Sequence, residues 1–275
     1  MEDRLVSLLK RFELRAQVFQ AGPLCHSAEF NAGDDLGYIH VLRAGAIRLH
    51  SDGRRAVKID QPCVLFYMTP TTHRLVPLGT DTDTVCASFE FGIGLHNPLL
   101  KALPDLVHIT LADLPNMATT LELLFKEAME NHCGRQAIID RMTEVLIVLL
   151  LRELMDQGRL ESGLLAGLSD PRLAKAINAL HADPASAWSL DSLADVANMS
   201  RARFAVHFRE TVGMTPMLYL SEWRLSVAQS LLRRGWAVQS VADQVGYASA
   251  SALSRAFTAQ LGLSPSKWRR RQVSD

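Results

Sequence analysis

Two patterns of apolar residues divide the chain. Between Leu36 and Phe91 they come in short runs: Tyr38 to Leu42, Ala46 to Leu49, Ala56 to Ile59, Val64 to Tyr67 and Thr84 to Phe91, with Ser51-Asp52-Gly53 as a turn. Runs of this length and spacing predict an antiparallel sandwich or small barrel. From Met117 the period lengthens. Leu121, Leu124 and Ala128, then Ile138, Met142, Val145, Leu149 and Leu150, recur at helical spacing, so two antiparallel helices are expected over 117–131 and 135–156. Gly158, Gly163, Gly167 and Pro171 then break the period. This places a first domain at 1–157, a linker at 158–170 and a second domain at 171–275. Beyond the linker the pattern stays helical, with turns at Asn198, Gly213, Gly235, Gly246 and Gly262.

Composition agrees with two ordinary cores: 275 residues, 48% hydrophobic and 21% charged, which excludes a disordered or fibrous chain. The longest apolar run, Val145 to Leu151, is far below the roughly 20 residues of a membrane span. No basic stretch leads into an apolar one at the N-terminus, so a cytoplasmic protein is expected. In that compartment Cys25, Cys63, Cys86 and Cys133 are expected as thiols, ligands or sensors rather than disulfides. Net charge is zero, yet residues 1–169 hold 16 basic against 21 acidic residues and 170–275 hold 13 against 8. The excess of positive charge in the second half suits a polyanionic partner.

The helical half contains an internal repeat. Leu193-Ala194-Asp195-Val196-Ala197-Asn198-Met199-Ser200 matches Val241-Ala242-Asp243-Gln244-Val245-Gly246-Tyr247-Ala248-Ser249 with one insertion. The register then holds through Phe204 with Leu253, Phe208 with Phe257, Gly213 with Gly262, Pro216 with Pro265 and Tyr219 with Trp268. Each copy reads as helix, tight turn, helix. In the first, Ser189 or Asp191 caps a helix that turns Leu193, Ala194 and Ala197 inward. Ser200 caps the next, with Phe204, Phe208 and Val212 inward and Arg201, Arg203 and Arg209 elsewhere. In the second, Ser249 is the cap, Leu253, Phe257 and Leu261 face inward, and Ser251, Ser254 and Arg255 face out. An apolar stripe that fixes a helix and short polar groups or arginine on its far side are what major-groove reading needs. A single amphipathic helix pair with a serine cap is ordinary packing; two in register within a net-basic domain are not. The helix between them, 216–234, is about 28 Å long, close to the roughly 34 Å between successive major-groove faces.

Gly246-Tyr247-Ala248-Ser249-Ala250-Ser251-Ala252-Leu253-Ser254-Arg255-Ala256-Phe257, followed by Gly262-Leu263-Ser264-Pro265-Ser266-Lys267-Trp268-Arg269, closely resembles the C-terminal signature of the AraC family of bacterial transcriptional regulators. Leu253 and Trp268 stand where that family usually has Phe and Tyr. The resemblance implies double-stranded promoter DNA and RNA polymerase as partners. In the first recognition helix, Ala202, Ala205 and Val206 occupy groove-facing places where polar residues are common. That helix is expected to read thymine methyls or to anchor on phosphates through Arg201, Arg203 and Arg209.

The first half resembles the cupin-like sensor domain of one branch of the same family, in Ile39 to Gly45, Pro70 to Leu75, Val85 to Phe91 and His96 to Pro104. The expected fold is therefore α+β: a cupin-like antiparallel β-barrel with a helical hairpin, then an all-α domain with two helix-turn-helix units. His40, His73 and Cys86 fall on or beside predicted strands. Two imidazoles and a thiolate, with Cys25 as a fourth ligand, would suit zinc or another divalent metal. The same Cys25 and Cys86 are candidates for a redox switch, and an organic effector in the barrel is a third reading. Cys63 and Cys133 read as structural. Cupin metalloenzymes resemble one another in a His-x-His pair followed by Glu; here Leu42 follows the gap, and no catalysis is expected. The leading reading is a one-component regulator, expected as a homodimer, with the Val145 to Leu151 stripe read either as the dimer interface or as packed entirely on the barrel. The alternatives are a cupin metalloenzyme with a DNA-binding tail and an architectural DNA binder.

Overall fold

Nine strands, among the described residues, pair into two antiparallel sheets. One runs β1 (Leu14–Pro23), β8 (Asp83–Phe91), β3 (Gly37–Ala44), β6 (Cys63–Tyr67), β9 (Val107–Thr110). The other runs β2 (Ala28–Phe30), β7 (His73–Pro77), β4 (Ile47–Ser51), β5 (Val57–Ile59). This computed structural model describes residues 4–5, 8–9, 14–34, 36–91, 104–158, 160 and 162–274. The stretch His96 to Leu103 lies outside them, so that part of the resemblance is not placed.

The five-stranded sheet is buried on both faces, which explains why β3, β6 and β8 are apolar almost throughout instead of alternating. Tyr38, Leu42, Leu65, Tyr67 and Cys86 on its inner face pack with Phe30, Ile47, Leu49, Ile59 and Leu75 of the other sheet. Ile39, Val41, Val64, Phe66 and Val85 are buried on its outer face. The expected helical hairpin is present as α1 (Ala118–Met129) and α2 (Arg135–Asp156), both packed on β1. Because β1 is an edge strand, its unpaired backbone needs partners. Helix α2 supplies them: the Val18 amide donates to Asp140 Oδ1 at 2.7 Å, the Ala16 amide to Glu144 Oε1 at 3.4 Å, and Gln136 Nε2 to the Val18 carbonyl at 2.8 Å. Strands β1, β2, β7 and β9 are not among the expected runs: β1, β2 and β9 lie at sheet edges with one strand neighbour each, and β2 and β9 are only three and four residues long.

The other unit holds α3 (Leu164–Ser169), α4 (Pro171–Ala182), α5 (Leu190–Val196), α6 (Arg201–Val212), α7 (Pro216–Arg233), α8 (Val238–Gln244), α9 (Ala250–Leu261) and α10 (Pro265–Ser274). The stretch expected as linker is corrected here: α3 lies inside it, belongs to this unit and is buried from Leu164 to Leu168. Gly167 looked like punctuation but marks close packing, since a Cβ there would stand 2.7 Å from Ile177 Cδ1 and 2.8 Å from Val212 Cγ2. Arg4, from the beginning of the chain, donates to the Leu168 and Ser169 carbonyls at 3.0 and 2.8 Å, where the C-terminal end of a helix favours a cation.

Candidate functional site

The two repeat copies share one turn. Asn198 at φ 52° and Gly246 at φ 78° occupy corresponding left-handed positions, and asparagine is the residue besides glycine that enters this region most readily. Met199 then bonds the Ala194 carbonyl and Tyr247 the Ala242 carbonyl, each at 2.9 Å. Gly213 and Gly262 end α6 and α9 in the same left-handed conformation. Of the expected caps, Ser189 forms a reciprocal capping box with Ser192, and Ser249 accepts from the Ala252 amide at 3.2 Å. Ser200 takes the N-cap position of α6 with extended backbone but makes no side-chain cap bond, so its expected role is not met.

Burial divides each of α6 and α9 into an inner and an outer face. Phe204, Phe208 and Val212 of α6 and Leu253 and Phe257 of α9 are buried; Leu261, expected inward, is half-buried. On α6, Arg201, Ala202, Arg203, Val206 and Arg209 are exposed and Ala205 is half-buried. On α9, Ser251 and Arg255 are exposed and Ser254 is half-buried. Val206 is 57% exposed, a large apolar side chain turned toward water. Arg201 lies 3.5 Å from Asp191 in a solvent-exposed pair that a phosphate would have to compete with. Arg203, Arg209 and Arg255 form no ion pair among the described residues. Beside α6 a cleft of about 420 Å³ is lined by Arg172, Ala202, Arg203, Val206, His207 and Glu210.

His207 carried no sequence signal, yet it ties α6 to the start of α4. Its Nε2 meets Asp170 Oδ2 at 2.7 Å, while Asp170 Oδ1 caps α4 through the Arg172 and Leu173 amides at 2.8 and 3.0 Å. Burial raises the Asp170 carboxyl, but the bonds from His207 and the two amides outweigh it and hold the carboxyl below its ordinary range.

In the barrel, His40 on β3 and His73 at the start of β7 are buried and meet Nε2 to Nε2 at 2.8 Å. Phe30 and Tyr67 stack on His73 at 4.7 and 3.9 Å. The Thr71 carbonyl lies 2.7 Å from His73 Nδ1, which assigns the His73 proton to Nδ1. His73 Nε2 is then an acceptor, His40 Nε2 donates to it, and His40 Nδ1 is left buried without a partner. Burial holds both rings neutral. It lowers His73 to about 4 against the Thr71 bond, and it lowers His40 well below the ordinary value, with further help from His73.

The cysteines stand apart from this pair. Cys86 faces the same interior opposite His40, but burial pushes its thiol up to about 12. Cys25 is exposed, its Sγ 3.9 Å from the Pro23 carbonyl. No three of His40, His73, Cys86 and Cys25 bring ligand atoms within 4.8 Å of one another; among the described residues Glu127, Glu130 and His132 do so. Cys63 is buried as expected, whereas Cys133, expected as structural, is exposed. A cleft of about 260 Å³ lined by Ser51, Arg54, Thr72 and His73 reaches His73 but not His40.

Residues 3–156 match the family described as Cupin and residues 193–271 the one described as Helix-turn-helix domain. The regulator AlkR of Acinetobacter baylyi is 32% identical over 244 residues, covering 85% of this chain and 79% of its own. A putative AraC-like transcription regulator of Streptomyces lividans is 38% identical over 197 residues, 70% of this chain and 64% of its own. The chain belongs to the AraC-like family of transcriptional regulators. It spans a little under two thirds of the Streptomyces relative, 64%. The DNA-binding domain of AdpA in complex with a target DNA is 34% identical, covers 37% of this chain and 92% of its own, and has a TM-score of 0.35. These relatives are named as regulators, in agreement with the expectation of a protein that is not an enzyme.

The neutral histidine pair predicts a pH dependence in chelator-treated protein. Unfolded histidines take up protons near pH 6.5, native His73 near 4 and native His40 well below its ordinary value, so stability is complete above pH 6.5 and falls from there toward pH 4. Thermal midpoints of the wild type and a His40→Phe/His73→Phe variant are expected to diverge over that window. Parallel curves would sink the neutral pair.

Proposed function

We propose that this chain is a one-component transcription regulator: the helical unit binds double-stranded promoter DNA, and the barrel unit binds an effector that biases it. The observation that carries the first half is the pair of in-register helix-turn-helix units whose outer faces hold exposed Arg255, Ser251, Arg203, Arg209 and Val206. Ser251, Ser254 and Arg255 read base edges, while α6 contributes phosphate anchoring and an apolar contact from Val206. RNA polymerase is the partner that membership of the family suggests.

For the effector, the histidine pair supports a metal. Thr71 orients His73 as a carbonyl orients a ligating imidazole, so Nε2, which accepts from His40 in this structure, would become the ligand atom once a metal displaced that bond, and the unpartnered nitrogen of the buried His40 ring makes it the second candidate ligand. Zinc or another divalent metal would be held by His40 and His73, with Cys86 on the facing strand, and would supply a charge that the neutral pair lacks. The oxidant reading rests on exposed Cys25, since a thiol at about 12 such as Cys86 is not a thiolate at neutral pH. A small polar molecule in the cleft above His73 is the remaining reading.

The outward face of α2 supports a homodimer. Ile138 and Val145 are 44 and 51% exposed one above the other, with Met142 and Leu149 half-buried beside them, and a second copy of the same stripe covers them.

Three measurements test these readings. Footprinting should show Arg255→Ala losing about 1–3 kcal/mol with relaxed preference at one base, and Arg209→Ala losing affinity evenly across sequences. Wild-type affinity in both would reject the assigned faces. Elemental analysis of the purified protein should find metal at one equivalent per chain, lost in His73→Ala; metal-free wild type would move the effector to Cys25 or to the cleft. Sedimentation of Val145→Glu should give a monomer where the wild type gives a dimer.

A further inference from the structure

The two helix-turn-helix units meet at a junction that lies in neither recognition helix. From α7, Arg224 turns its guanidinium onto the loop between α4 and α5. Its Nε donates to the Pro184 carbonyl at 2.7 Å and its Nη2 to the Ser186 carbonyl at 3.0 Å. That loop is itself braced: the Ser186 amide donates to Asp183 Oδ1 at 3.2 Å, and the Trp188 indole Nε1 donates to the Asp183 carbonyl at 2.7 Å. The turn of the second unit closes on the same place. A Cβ on Gly246 would stand 2.8 Å from the Ala185 Cα, from the Ala185 carbonyl oxygen and from Arg224 Nη2. A loop of the first unit, the helix between the units and the turn of the second thus converge on one guanidinium.

The geometry points to Arg224 as a positioning residue that sets the separation and angle between α6 and α9, and through them the base-pair spacing the protein accepts. This rests on the DNA-binding reading above. A planar fork bonded to two carbonyls resists both sliding and rotation of the loop against α7, which a lysine's single point of charge does not. Moving one half of a bipartite site by one base pair rotates it by about 34–36° around the DNA axis. A rigid junction cannot follow that rotation, whereas a loosened one can.

The test uses the full chain and a site selected by the wild type from random-sequence DNA. One base pair is then inserted or deleted between the two protected segments. The wild type is expected to lose affinity on the order of tenfold for each change, the scale of a lost base contact. Arg224→Ala is expected to shrink that penalty to about threefold or less, because the second recognition helix regains freedom to follow its groove. Equal penalties in the two proteins, whatever their absolute affinities, would overturn the inference, because a role in stability alone shifts all sites together. If circular dichroism shows Arg224→Ala to be unfolded, Arg224→Lys, which keeps the charge and loses the fork, carries the same comparison. A selection that recovers no sequence from the wild type counts against the DNA-binding reading itself, and the spacing inference falls with it.

Discussion

Helix α7 is the member on which both DNA-facing units rest, and its two ends are buried in different cores. Near its start, Tyr219 and Trp223 enter the first unit. The Tyr219 ring meets Phe208 at 5.7 Å, its hydroxyl bonds His181 Nε2 at 2.5 Å, and Trp223 stacks on His181 at 3.6 Å. Near its end Leu231 and Leu232 are buried, and the Arg233 guanidinium lies over the Trp268 ring of α10 at 5.6 Å. Eighteen helical residues, about 27 Å at 1.5 Å each, therefore act as a rod whose ends cannot rotate without opening a core. The positions of α6 and α9 follow from it. Each is a helix whose apolar stripe is committed to the interior, so that its remaining face can only be the one turned to solvent.

The barrel solves a different problem with the same economy. A sheet buried on both faces needs apolar strands, and β3, β6 and β8 are such strands, yet His40 and His73 lie in the inner layer at the cost of two desolvated imidazoles. Each satisfies the other, Thr71 satisfies one of the outer nitrogens, and one nitrogen is left over. The cleft beside Thr72 reaches His73, the member of the pair that Thr71 orients.

The same residues read differently at the two levels. The repeat was legible because a helix-turn-helix commits its apolar positions, its turn and its caps locally: Phe204, Phe208, Asn198, Gly246, Ser189 and Ser249 are each within a few residues of what they serve. The bounds of helix α2 were legible, but of the periodic residues that pointed to it Ile138, Met142, Val145 and Leu149 are exposed or half-buried, and the face that packs holds Ile139, Leu146, Ile147, Leu150 and Leu154. The short strands β2 and β9 were not, having three and four residues whose fate depends on partners far along the chain. Helix α3 reads as a linker in sequence because Gly163 and Gly167 look alike there. Only contact with Ile177 and Val212 distinguishes a glycine that breaks a helix from one that lets two elements approach.

By itself the sequence determined the class of each half, the repeat, the register of the two recognition helices and the candidate ligands, because these depend on residue type and spacing. Tertiary structure alone decided which candidates meet. It joined His40 to His73 and left Cys25 in solvent, gave His207 to Asp170, and drew Pro184, Ser186, Gly246 and Arg224 together across the two units. The physical reason is that hydrogen bonds and desolvation act over a few ångströms in space, and distance along a chain says nothing about them once it folds back on itself.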